Sequence, residues 1–100
     1  MLIVVFRSRL TSLDPEGYAA MDTKLSELVR DAPGFAAVKS YRADDGERLS
    51  LVWWKDAASL RAWRELPVHR EAQREGRATW YEFYKMEVAE VVRESGFKRA

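Results

Sequence analysis

His69, the only histidine of the chain, stands four residues before Gln73, so on a helix the two side chains share one face. An imidazole titrates near neutral pH, which suits it to proton abstraction there. The competing reading is a partly exposed histidine near a helix start, hydrogen-bonded and inert. Trp63 carries an indole N–H donor on a large apolar ring, and such rings line slots that accept flat molecules as well as ordinary cores. Ser8 interrupts an apolar parity near the amino terminus; its hydroxyl either contacts a ligand or bonds nearby backbone. Arg77 follows a helix-stopping Gly76 and can offset an enolate or phenolate charge, or pair at the surface or a subunit contact.

Other chemistries lack their residues. Cysteine is absent, which removes disulfides and thiolate nucleophiles together. There is no glycine-rich phosphate loop, no nucleophile elbow and no His–carboxylate cluster at ligand spacing. Glu82, Glu87 and Glu90 lie on an extended run without histidine neighbours, so no metal site is expected. Nothing resembles a nucleotide or flavin cradle, and no cofactor is expected. Arg61, Arg64 and Glu65 read as one solvated helix face.

The elements that must position these residues follow from periodicity. A length of 100 residues with 47% apolar content suits one domain spanning 1–100. Leu2, Val4, Phe6 and Leu10 share one strand parity with Ser8, opposite Ile3, Val5, Arg7 and Arg9. Asp14-Pro15 opens a helix whose stripe is Tyr18, Met21, Leu25, Leu28, Val29 and Ala32, and Pro33-Gly34 stops it. Phe35–Arg42 and Leu49–Trp54 form a hairpin around Asp44-Asp45-Gly46. Adjacent Trp53 and Trp54 must face opposite sides of it. Asp56 caps a second helix bearing Leu60 and Trp63; Pro67 restarts it to about Glu75, and Gly76 ends it. The run Trp80–Arg93 is long for a strand, with a parity shift near Tyr84 to Met86 that suggests a bulge.

Strand, helix, strand, strand, helix, strand is the split βαβ, ferredoxin-like α+β arrangement with a four-stranded antiparallel sheet. Its two helices cover one sheet face and leave Ile3, Val5, Ala37 and Tyr41 on the other. An apolar face of that size predicts a homodimer packed sheet on sheet, with the last strand reaching the partner's edge. Seventeen Lys and Arg balance sixteen Asp and Glu, a formal charge of +1, which argues against nucleic acid or an anionic membrane as partner. The initial apolar run, Leu2–Phe6, is shorter than a signal peptide core and far short of the roughly 20 residues of a spanning helix. A cytoplasmic location is the corresponding expectation.

The element order, the Pro33-Gly34-Phe35 turn, the segment LSLVWWKDAASLRAW, the stretch LPVHREAQREGR and the closing YKMEVAEVVRESGF together resemble the antibiotic biosynthesis monooxygenase (ABM) family of dimeric α+β barrels. The resemblance covers nearly the whole chain and implies the fold more sharply than the reaction. It implies a cofactor-independent monooxygenase of small aromatic, anthrone- or quinol-like substrates. His69 would be the base, Trp63 and Ser8 orienting donors, Phe6, Tyr18 and Met21 walls, and Gln73 and Arg77 further substrate contacts. Arg7 and Arg9 would form ion pairs across the barrel or interface. The alternatives are a non-catalytic small-molecule-binding dimer and a haem-degrading relative. The haem branch matches at Trp63, but Gln73 stands where its iron-ligating histidine would be and Ser8 where its asparagine would be; an amide oxygen is a poor substitute on haem iron.

Overall fold

A single carboxylate begins the helical layer. Asp14 sits in the left-handed region (φ 46), which aspartate tolerates better than most residues. Its Oδ1 accepts from the Gly17 N–H at 3.1 Å, and its Oδ2 accepts from the Trp80 indole at 3.1 Å. One side chain thus caps a helix and ties it to Trp80, the residue just ahead of the last strand.

The computed structural model describes residues 1–100. In chain order it comprises β1 (Leu2–Leu10), α1 (Pro15–Val29), β2 (Phe35–Arg42), β3 (Arg48–Trp54), α2 (Ala57–Arg64), α3 (Pro67–Glu75), a π turn (Gly76–Trp80) and β4 (Tyr81–Glu90). The strands form one antiparallel sheet in the order β2-β3-β1-β4. This is the ferredoxin-like α+β fold expected, with the second helical layer divided into α2 and α3.

Register assigns the two faces. Val4 lies between Val52 and Val88, and Phe6 between Ser50 and Met86, all on the side of the helices. Ile3 lies between Trp53 and Ala89, and Val5 between Leu51 and Glu87, on the uncovered side together with Ala37 and Tyr41. The core is small and one-sided: Val4, Val29, Trp54, Leu60 and Trp63, with Leu25, Phe35, Val52 and Met86 packed around them. Trp54 is its centre, 1% exposed, while Trp53 points the other way as adjacent strand residues must.

Three local expectations are corrected. The irregularity in β4 is not near Tyr84 to Met86. Arg9 pairs with Phe83 and Leu10 with Tyr81, so the extra residue is Glu82. The strand ends at Glu90 rather than Arg93: Glu90 pairs with Leu2, and one further bond, from the Val91 N–H to the Met1 carbonyl, closes the ladder. Gly76 does not stop the helical run; its φ of −57 is helical, and the chain continues into the π turn. Gly76 is glycine for a different reason. A Cβ there would stand 2.7 Å from the Tyr81 ring.

On the uncovered face, Arg7 makes a bidentate pair with Glu47 (2.9 and 3.0 Å), and Arg9 holds Asp45 through its backbone carbonyl (2.8 Å) and carboxylate (3.3 Å). Both arginines thus close on the β2–β3 loop of their own chain. No helix is long and apolar enough to cross a membrane.

Candidate functional site

Between the helix-side face of the sheet and the helices lies a cleft of about 280 Å³. Its floor is Val4 and Phe6 of β1, Val52 and Trp54 of β3, and Tyr84 and Met86 of β4. Leu25 and Val29 of α1 form one wall, and Leu60 and Trp63 of α2 the other. The α3–π segment lays His69, Gln73 and Arg77 along the same space, at four-residue intervals that keep them on one side. Thirteen of the nineteen lining residues are hydrophobic, and none is aspartate or glutamate.

His69 is half-buried with the edge of its ring toward Trp63, centroids 5.6 Å apart. Its Nδ1 is buried and has no hydrogen-bond partner. That distinguishes it from a hydrogen-bonded structural histidine, whose ring nitrogens are occupied. Burial holds its pKa below the ordinary value of 6.5, and the nearby Arg64 charge pushes in the same direction. The imidazole is therefore neutral at pH 7, the form that accepts a proton.

Phe6, Trp63, His69, Gln73 and Arg77 are brought together around the cleft, whereas Ser8, Tyr18 and Met21 do not line it. Ser8 is on the expected parity but is 3% exposed, in register between Arg48 and Tyr84. Tyr18 turns its ring onto Trp80 and Tyr81, at 5.9 and 6.1 Å, with the Arg48 guanidinium 5.3 Å above it. Met21, half-buried, follows one turn later on the same helix. Tyr81 is the partition, because it lines the cleft on one side and packs on Tyr18 on the other.

Two residues of β4 were absent from the sequence-based set. Tyr84 stacks on Phe6 at 5.4 Å and 22°, and Tyr81 meets both rings edge-on at 5.7 and 5.6 Å. Residues three apart on a regular strand face opposite sides; the bulge at Glu82 brings Tyr81 and Tyr84 to the same one. Burial, followed by the neighbouring Tyr18, drives the Tyr81 phenol far above its ordinary pKa, and burial also raises that of Tyr18. Both stay protonated at neutral pH. The Tyr84 hydroxyl accepts from Arg77 Nε at 2.8 Å, which fixes that guanidinium at the edge of the cleft. Arg64 is a correction: it lines the cleft rather than a purely solvated face. The only available signal was its position directly after Trp63 in the last turn of α2.

The family model for antibiotic biosynthesis monooxygenases matches residues 1–75, three-quarters of the chain. The chain belongs to the antibiotic biosynthesis monooxygenase family. The matched span ends before the π turn and β4, so Arg77, Tyr81 and Tyr84 lie outside it. This ABM chain is 34% identical over 95 residues to the uncharacterized protein YqjZ of Bacillus subtilis, covering 95% of its own length and 82% of that protein. It is 31% identical over 104 residues to the jasmonate monooxygenase ABM of Pyricularia oryzae, covering 99% of itself but 48% of that longer relative. Among solved structures it resembles Rv0793 of Mycobacterium tuberculosis (TM-score 0.80, 14% identity, 95% and 98% of the two chains). It also resembles a point mutant of SnoaB, a cofactor-independent oxygenase from Streptomyces nogalater (TM-score 0.76, 15% identity, 93% and 94% of the two chains). At such identities the structural likeness concerns the fold.

Proposed function

We propose that the chain is a cofactor-independent monooxygenase of a small, flat, electron-rich substrate of the anthrone or quinol kind, working as a homodimer of one-domain subunits. The observation that carries this reading is His69: a neutral imidazole with an unpartnered buried nitrogen, facing an apolar cleft that contains no carboxylate. SnoaB, as a cofactor-independent oxygenase of the same fold, and the jasmonate monooxygenase point to the same reaction class.

For an anthrone, His69 takes a proton from the ring methylene, leaving a delocalised carbanion. The low-polarity walls deprive that anion of water, while hydrogen-bond donors such as Trp63 and the Arg77–Tyr84 pair stabilise charge on its oxygen. The anion supplies the electrons. One passes to O2, the radical pair forms a C–O bond, and a proton completes the hydroperoxide. Loss of the remaining C–H proton then breaks the O–O bond, leaving a carbonyl on the ring and releasing the other oxygen as water. The sum is CH2 plus O2 giving C=O plus H2O, so no external reductant is consumed. In this scheme Phe6, Tyr84 and Met86 carry the substrate ring, Gln73 is a neutral polar contact, and Ser8, Tyr18 and Met21 support the aromatic partition.

The homodimer is supported by surface accounting. A compact monomer of 11.6 kDa exposes about 5,800 Å². This chain exposes 7377 Å², and its radius of gyration of 14.5 Å exceeds the roughly 13 Å usual for 100 residues. Part of the excess is the run 91–100 beyond β4, with Val92 and Phe97 exposed, and part is the uncovered face with Ile3, Val5, Leu51, Trp53 and Tyr41; a stable interface needs about 800 Å² per partner.

Oxygen uptake with a panel of anthrones and quinols tests the reaction. Uptake that drops about 10²–10⁴-fold in His69→Ala supports the base. Uptake unchanged in that variant removes the assignment, and binding without uptake leaves a non-catalytic binder.

A further inference from the structure

The cleft carries two positive charges, of which the oxygenation scheme uses only that of Arg77. Two of its lining residues are arginines, Arg64 and Arg77, and no acidic side chain answers them. The chain's only salt bridges, Arg7–Glu47 and Arg9–Asp45, both lie on the opposite face of the sheet. The lining of this cleft therefore holds two cations and no anion.

The two cations occupy separate places. Arg77 donates through Nε to the Tyr84 hydroxyl, which leaves the terminal nitrogens of its planar fork without a carboxylate beside a ring that floors the cleft. A guanidinium held in this way keeps the paired donors that match a carboxylate. Arg64 lines the cleft from the last turn of α2, close enough to His69 for its charge to be felt by the imidazole. The π turn contributes the placement: it carries Arg77 at the cleft edge while burying Trp80 four positions before Tyr84.

From this geometry we infer that the natural ligand is a fixed anion, an apolar ring system bearing a carboxylate that Arg77 receives at the cleft edge, with Arg64 supplying the second positive charge. The inference rests on the proposed use of the cleft for a flat apolar molecule and adds the charge of that molecule. An uncharged anthrone or quinol satisfies the walls but brings no fixed charge to either guanidinium until it is deprotonated. A carboxylate answers them and orients the ring, because only one end of the molecule can then face the mouth.

A matched pair of probes tests it: anthracene-2-carboxylate and anthracene-2-carboxamide, titrated at low salt and followed by quenching of the tryptophan fluorescence to which Trp54 and Trp63 contribute. The carboxylate is expected to bind at least about tenfold more tightly than the amide, as a charge-assisted hydrogen bond permits. Arg77→Gln should remove most of that preference and Arg64→Gln/Arg77→Gln all of it, with the amide affinity falling by a smaller factor than that of the carboxylate. These side chains are exposed, so the variants keep the fold, which circular dichroism checks. Equal binding of the two probes, or a preference for the amide, overturns the charge assignment and leaves the apolar cleft standing. A preference that survives both substitutions equally overturns it. Absence of quenching by either probe overturns the inference together with the reading of the cleft beneath it.

Discussion

The two faces of the sheet treat arginine in opposite ways. On the uncovered face, Arg7 and Arg9 are each locked to an acid of the β2–β3 loop, and the apolar side chains between the strands lie open. On the helix-covered face, Arg64 and Arg77 have no acidic partner, and the apolar side chains surround a cavity. A face whose arginines are already paired within the chain offers a neighbour its apolar side chains, which suits a second copy of the same surface. A face whose charges are unsatisfied around a hollow offers direction and sign, which suits a small ligand.

The adjacent tryptophans break this comparison most directly. Trp54→Ala deletes the most buried ring of the core, against Phe35 and Trp63, and should cost about 3–5 kcal/mol in urea unfolding. Trp53→Ala on the other face should leave protomer stability much less affected and weaken self-association instead. A central interface tryptophan contributes on the order of 2 kcal/mol or more, so sedimentation equilibrium should show a dissociation constant raised about thirtyfold. Matching losses of protomer stability, with no change in mass, would erase the distinction between the faces.

Asp14 sharpens it at the junction of helix and strand. Asp14→Ala removes both the α1 cap and the acceptor for Trp80, and thermal melts should register a loss of about 1–2 kcal/mol. Asp14→Asn keeps an oxygen for the cap and should lose less. The smallest effect concerns His69, whose folded pKa lies below its unfolded one. The unfolded chain therefore binds a proton first as pH falls. The stabilisation is complete above about pH 6.5 and is lost as pH drops through that value toward the folded pKa. Between pH 7.5 and 5.5 the melting temperature of the native chain should fall slightly further than that of His69→Gln; a larger fall in the variant would reverse the sign.

Strand and helix periods made the order of elements and the two parities of β1 legible, including the opposed directions of Trp53 and Trp54. His69 and Gln73 were legible as neighbours from their four-residue spacing, whereas Arg77 joins the row only because the helical run continues through Gly76 into the π turn. Ser8, Tyr18 and Met21 show the limit of that reasoning. Parity placed Ser8 on the helix side, but its neighbours there, not its own type, decide whether it meets a cavity or packed rings.

What local sequence determined was periodicity, capping and charge balance, since these depend on residues within a few positions of one another. Tertiary structure alone decided that Tyr81 partitions the helix side, that one extra residue at Glu82 turns Tyr81 and Tyr84 the same way, and that Arg64 joins Arg77 around one hollow. Each of these relations joins segments distant along the chain. A hollow is the space left after all of them have packed, and no single segment encodes it.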